Sequence, residues 1–238
     1  MASTYIDINA TDQSGSFKGY LSTPASGSGP GILLLQEIFG VNSHIRAIAD
    51  QYAQEGYTVL APDMFWRLAP GIELGYSEED RAKAYELYGQ FNLETAVEDM
   101  IAAANALKAH PSCSGKFASL GFCLGGKLSY LAAAHCSPDA AVIYYGVRID
   151  EELHLADQIR CPLLMHFAEL DKLVPESARD AIRETFSDRE DVAMHLYKGC
   201  DHAFNTRGRD SYNAAAASLA YDRSIKFLSA RLGLTDDD

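Results

Sequence analysis

No apolar stretch in this sequence approaches the roughly 20 residues needed to cross a bilayer. The N-terminal MASTYIDINATDQ has no basic region leading into an apolar run, so a secretory leader is not expected either. Positive charge is scarce: 20 Lys and Arg stand against 33 Asp and Glu, a formal net charge of −13. That balance disfavours nucleic acid or an anionic membrane as partner, since both bind through clustered cations. The same field repels small anions, which makes any arginine near a reactive group informative. Five cysteines, an odd number without regular spacing, argue against a disulfide framework and fit a reducing cytoplasm. No linker-like boundary, internal repeat or low-complexity block breaks the chain, and a single domain over 1–238 is expected.

What is present is ordinary globular material, 47% hydrophobic and 22% charged, enough for a sizeable core. TYIDI (4–8) and FKGYLST (17–23) alternate like strands of an N-terminal antiparallel hairpin, and PASGSGPG (24–31) reads as a surface loop. The continuous apolar runs at 32–36 and 57–63 have the pattern of strands covered on both faces. Further strands are predicted at 116–122, 140–146, 161–170 and 192–198. Helices are expected at 43–55, 78–89, 93–109, 124–135 and 210–232, ahead of a polar tail TDDD. This alternation predicts a mostly parallel sheet with helices on both faces.

In such a sheet chemistry collects beyond the carboxyl ends of the strands. Gly121-Phe122-Cys123-Leu124-Gly125 has the Gly-x-nucleophile-x-Gly spacing of a strand-to-helix elbow, with Cys in place of Ser. A helix N-terminus at Cys123 favours its thiolate. A buried inert thiol is the bland alternative, but the glycine spacing and the strand-helix setting agree on a reactive one. Gly121 to Lys127 also satisfies the first seven positions of a phosphate-binding loop. The eighth is Leu128 where a hydroxyl should hold magnesium, so nucleotide binding is not expected. Cys200 and His202 form a lone C-x-H with no second ligand pair, so neither a metal nor another cofactor is expected.

A thiol nucleophile needs a base and a group that orients it. His202 follows the strand at 192–198, and Asp171 follows the strand at 161–170. Asp201 is a poorer orienter because it is His202's immediate neighbour. His166 and His195 lie within strand patterns and read as structural. The order Cys123, Asp171, His202 is that of the α/β-hydrolases.

With these residues in place the chain resembles the dienelactone hydrolase (carboxymethylenebutenolidase) family from about residue 30 to the C-terminal helix. The segments that carry the likeness are Leu35 to Gly40, Ala61-Pro62-Asp63, Gly121 to Gly126, Tyr144-Tyr145-Gly146, Asp171 with Val174-Pro175, and His202-Ala203-Phe204. The resemblance implies an α/β-hydrolase fold and hydrolysis of a carboxylated dienelactone to maleylacetate through a Cys123 thioester, in catechol or chlorocatechol degradation. It also implies that Glu37 helps to deprotonate the thiol. The backbone N–H groups of Leu124 and Ile38 are expected to form the oxyanion hole. For a small anionic lactone or ester, the resemblance assigns Arg81 and a second arginine after His202 to the carboxylate. Arg207 and Arg209 both fall there, and Arg207 is preferred as the nearer to the loop. Tyr85, one helical turn after Arg81, and Tyr145 are further candidates for substrate binding, and Trp66 reads as pocket lining or core. A monomer or small homo-oligomer is expected. Two other readings stand beside this one: a broader small-ester carboxylesterase of the same family, and a non-catalytic thiol sensor.

Overall fold

The computed structural model describes residues 1–234; the predicted polar tail, 235–238, lies outside the described residues. Eight strands form one sheet. They are β1 (Ala2–Asn9), β2 (Ser16–Thr23), β3 (Gly29–Leu35), β4 (Thr58–Pro62), β5 (Cys113–Phe122), β6 (Ala140–Tyr144), β7 (Leu163–Ala168) and β8 (Val192–Tyr197), in the order β1-β2-β4-β3-β5-β6-β7-β8. β1 and β2 form the predicted hairpin, β2 runs antiparallel to β4, and the remaining pairs are parallel. The helices are α1 (Ser43–Gln54), α2 (Glu78–Gln90), α3 (Leu93–Ala109), α4 (Leu124–His135), α5 (Glu176–Thr185) and α6 (Ala214–Leu232). This is the α/β-hydrolase architecture that the sequence predicts.

The central strands are apolar without interruption because helices cover both faces; every residue of β3, β4, β6 and β7 is buried. Asn42, Ser77 and Asn92 cap α1, α2 and α3 by accepting a first-turn N–H. The sequence reading differs at the start of β3. Gly29-Pro30-Gly31, read as loop from composition, belong to the strand, with Gly29 paired to Cys113 and Gly31 to Phe117. The demand for ladder hydrogen bonds in the sheet overrides a turn-like local composition. For the same reason β5 opens at Cys113, three residues before the strand predicted at 116–122. The last helix begins at 214 rather than 210, where Asn213 supplies the cap. No helix among the described residues is long and apolar enough to cross a membrane.

Candidate active site

The sheet's register brings the reactive side chains together. Leu35 on β3 lies opposite Gly121 on β5, so Glu37 and Cys123, each two residues further on, leave adjacent parallel strands side by side. β7 and β8 are likewise in register at Ala168 and Tyr197. Their loops stay joined past the strand ends: the Glu169 N–H donates to the Tyr197 carbonyl and the Leu170 N–H to that of Cys200. Asp171 and His202 therefore meet, although 31 positions separate them.

Cys123 sits at the N-cap position of α4 with a positive φ, φ 56° and ψ −115°. Its N–H donates to the Tyr144 carbonyl at 3.0 Å, while its own carbonyl accepts from Gly126, Lys127 and Val147. Such backbone costs of order 1–3 kcal/mol in a non-glycine residue and persists only where its surroundings enforce it. Enforcement comes from close approach. A Cβ on Gly121 would overlap the Gly125 carbonyl oxygen, and one on Gly125 the carbonyl of Leu35. Tyr145, Arg148 and Ala203, also at positive φ, lie in the neighbouring loops, so strain concentrates around this sulfur.

The imidazole Nδ1 of His202 lies 2.7 Å from Asp171 Oδ2. The other carboxylate oxygen accepts the N–H groups of Leu173 and Val174 at 2.8 and 3.1 Å, so Asp171 is fixed before the imidazole arrives. Asp201 instead accepts the backbone N–H of His202. The second ring nitrogen, Nε2, is buried without a well-formed hydrogen bond among the described residues. Burial opposes the imidazolium. The negative charge of Cys123 and the bond and charge of Asp171 outweigh it, pushing the His202 pKa up to about 10 from 6.5. Because the folded value is raised, this charge adds stability that is fully present below about pH 6.5 and fades as pH climbs through about 10. Replacing the sulfur in Cys123→Ser is expected to bring the His202 midpoint down, read from its ring resonances by NMR across pH. An unchanged midpoint would show that Asp171 alone sets it.

Cys123 and His202 open on a cavity of about 130 Å³. Ile38, Phe39, Tyr88, Val147 and Leu173 make its wall largely apolar, and Arg81, Arg148, Tyr85 and Arg209 complete it. A larger space of about 520 Å³ adjoins it, sharing Arg81, His202 and Arg209. Arg148 is paired with Glu151 at 2.8 Å, whereas Arg81 and Arg209 have no carboxylate partner among the described residues. Arg81 donates Nε–H to the Tyr76 carbonyl at 2.9 Å. The Arg209 guanidinium lies 5.7 Å from the Phe39 ring and 5.9 Å from that of Tyr76, two rings in edge contact at 5.0 Å. These fix the direction of its charge.

Two of the expected substrate-binding residues, Arg207 and Tyr145, do not line this cavity. Arg207 is exposed on the other side of the loop, lining a separate space of about 630 Å³ with His44 and Tyr221, while Arg209 takes the wall beside Cys123. The 203–206 turn, closed by the Thr206 N–H to the Ala203 carbonyl, is followed by Gly208 at positive φ, and nearness in sequence does not carry a side chain round it. Tyr145 lies behind the site: it is fully buried, with its ring 5.0 Å from that of His202. Tyr85 does line the cavity, as does Ile38. Trp66 stacks on Phe17 at 5.3 Å and donates to Asp99, away from the site. His166 is structural, bonded to Tyr197 and Ser224, and burial with the charges of His195 and Arg223 holds its pKa well below the usual value. Lys127 of the glycine-rich run is paired with Glu152 at 2.9 Å. Sequence reasoning did not single out Phe39, Tyr88, Val147, Arg148 or Leu173, although Phe39 lies within the Leu35 to Gly40 segment and Val147 and Arg148 are the two residues after Tyr144-Tyr145-Gly146.

A model of the dienelactone hydrolase family matches residues 17–232. The chain is 36% identical over 214 residues to a carboxymethylenebutenolidase of Pseudomonas putida, covering 90% of this chain and 91% of that one. It is 32% identical over 224 residues to carboxymethylenebutenolidase 1 of Cupriavidus pinatubonensis, covering 93% and 95%. Among solved structures it is similar to a dienelactone hydrolase-like promiscuous phosphotriesterase from metagenomic libraries, with TM-score 0.80, 25% identity and coverage of 98% and 100%.

Proposed function

The chain belongs to the dienelactone hydrolase family, and from that premise we propose that it opens a small carboxylated dienelactone to maleylacetate, as a step in aromatic breakdown. One observation carries this reading: Cys123, the Asp171-bonded His202 and two arginines without a carboxylate partner among the described residues converge on one largely apolar cavity. An apolar wall suits the lactone ring, and Arg81 and Arg209 suit its carboxylate, which the net charge of −13 would otherwise repel.

Cys123 passes its thiol proton to the Glu37 carboxylate, and the thiolate attacks the lactone carbonyl. The N–H groups of Leu124, the first of α4 and without a helical acceptor, and of Ile38 receive the oxyanion. The ring C–O bond breaks, leaving a thioester and an enolate. Acylation cancels the sulfur's charge, a main support of the His202 imidazolium, so the ring gives its proton to the enolate. As a neutral base it then takes a proton from the water that attacks the thioester. Collapse releases the acid and the thiolate, which recovers its proton from Glu37.

The test is lactone hydrolysis followed by ultraviolet absorbance. Arg209→Ala is expected to raise KM by about 10- to 100-fold with kcat within a few-fold, the pattern of lost ground-state binding; Arg207→Ala should stay near wild type. Neither change should affect cleavage of p-nitrophenyl acetate, which has no carboxylate to anchor. Wild-type protein that cleaves this ester but no lactone would discard the lactone in favour of a broader carboxylesterase.

A further inference from the structure

Glu37 is 1% exposed, and its side chain makes one hydrogen bond among the described residues, accepted at Oε1 from Thr206 Oγ1 at 3.3 Å. Thr206 is itself fully buried, and its hydroxyl oxygen lies 3.3 Å from the Tyr145 hydroxyl. With the single Thr206 hydrogen directed to Glu37, Tyr145 supplies its own hydrogen to Thr206, and the three groups form a chain of donors running Tyr145, Thr206, Glu37. We propose that Thr206 and Tyr145 are positioning residues that aim the Glu37 carboxylate at the Cys123 thiol and follow it between its ionised and protonated forms.

A hydroxyl both donates and accepts. When the sulfur–hydrogen bond breaks and the proton moves to the other Glu37 oxygen, with the electron pair left on sulfur, Oε1 of the neutral carboxyl still accepts from the Thr206 hydroxyl, whose oxygen still accepts from Tyr145. Glu37 then keeps its partner through the transfer, whereas a fixed cation there would oppose protonation. The backbone holds Tyr145 in place behind the site, with φ at 38° and its N–H donating to the His166 carbonyl at 2.7 Å. Its phenol lies within reach of the charges of both Glu37 and Cys123. His44 on α1 and Tyr76 are the other titratable groups that feel Glu37, and the charge of Arg207 also acts on His44.

This inference rests on the proton-accepting role proposed for Glu37, so the experiment separates the two. Thr206→Val keeps the shape and removes the hydroxyl. It is expected to lower kcat/KM on the lactone by roughly 10- to 100-fold, a part of what proton transfer contributes, to displace the acid limb of the pH profile, and to leave the thermal midpoint within a few degrees. Thr206→Ser should recover activity to within about 3-fold, and Tyr145→Phe should fall between the two. Glu37→Gln, assayed alongside, should lose more than Thr206→Val, and the double variant should be no worse than Glu37→Gln alone. An impaired Glu37→Gln with a wild-type rate and acid limb in Thr206→Val overturns the hydroxyl chain alone, as does a Thr206→Ser variant no better than the valine. A fully active Glu37→Gln removes the proton-accepting role and the chain with it.

Discussion

Replacing Cys123 with alanine is expected to lower kcat/KM for the lactone by at least about 10⁴-fold while the protein remains folded. The effect should be this large because, in the proposed mechanism, every later step waits on the thioester; in catalytic sets that act as a unit, loss of the nucleophile costs nearly as much as loss of the whole set. The site left by Arg81, Arg209 and the oxyanion donors should still bind substrate, so KM should change little. Folding should survive: the thiol is 7% exposed, alanine removes only one heavy atom, and the elbow is enforced by its glycines rather than by sulfur. Stopped-flow traces should also lose the burst that marks acyl-enzyme formation, and mass spectrometry the acylated species. Retention of even a tenth of the wild-type rate in Cys123→Ala would mean that water is activated without a covalent intermediate, and the thioester route would have to go.

A second large effect is expected in the scaffold. Gly125→Ala should destabilise the protein by about 3 kcal/mol or more, the upper end of what overpacking costs, and should reduce turnover beyond what the lost folded fraction explains. The new Cβ would meet the Leu35 carbonyl oxygen, with that of Gln36 close behind. Both are backbone atoms at the end of the buried strand β3, which cannot turn aside as a side chain would. Relief therefore requires α4 to move away from β3, and the helix carries with it the Leu124 N–H and the Cys123 hinge. Urea unfolding would measure the first effect, and kcat on the fully folded fraction the second. A variant of wild-type stability and rate would show that α4 stands further from β3 than the structure has it.

Much of the site was legible because its residues sit in short local patterns. Gly121-x-Cys123-x-Gly125 encodes its own turn, since the glycines mark where backbone meets backbone. Glu37, Asp171 and His202 each follow an apolar run, and a parallel sheet presents all such positions at one edge. The pairing of His202 with Asp171 rather than Asp201 could also be foreseen, since a side chain next in sequence has difficulty facing the same ring. The second arginine was not legible in this way. Arg207 and Arg209 have the same chemistry and nearly the same distance from His202, and the turn closed at Ala203 and Thr206 decides which of them faces Phe39 and Tyr76.

The sequence by itself determined the order of elements, the elbow and the three strand-end residues, because hydrophobic periodicity, glycine spacing and strand ends are local properties that a few neighbouring residues specify. Only the tertiary structure decided that Arg209 reaches the cavity, that Tyr145 stands behind His202 instead of before it, and that Thr206 bonds Glu37 across 169 positions. Those outcomes depend on how loops from separate strands pack against one another, and a loop's direction is set by the strain and hydrogen bonds of its surroundings rather than by its own few residues.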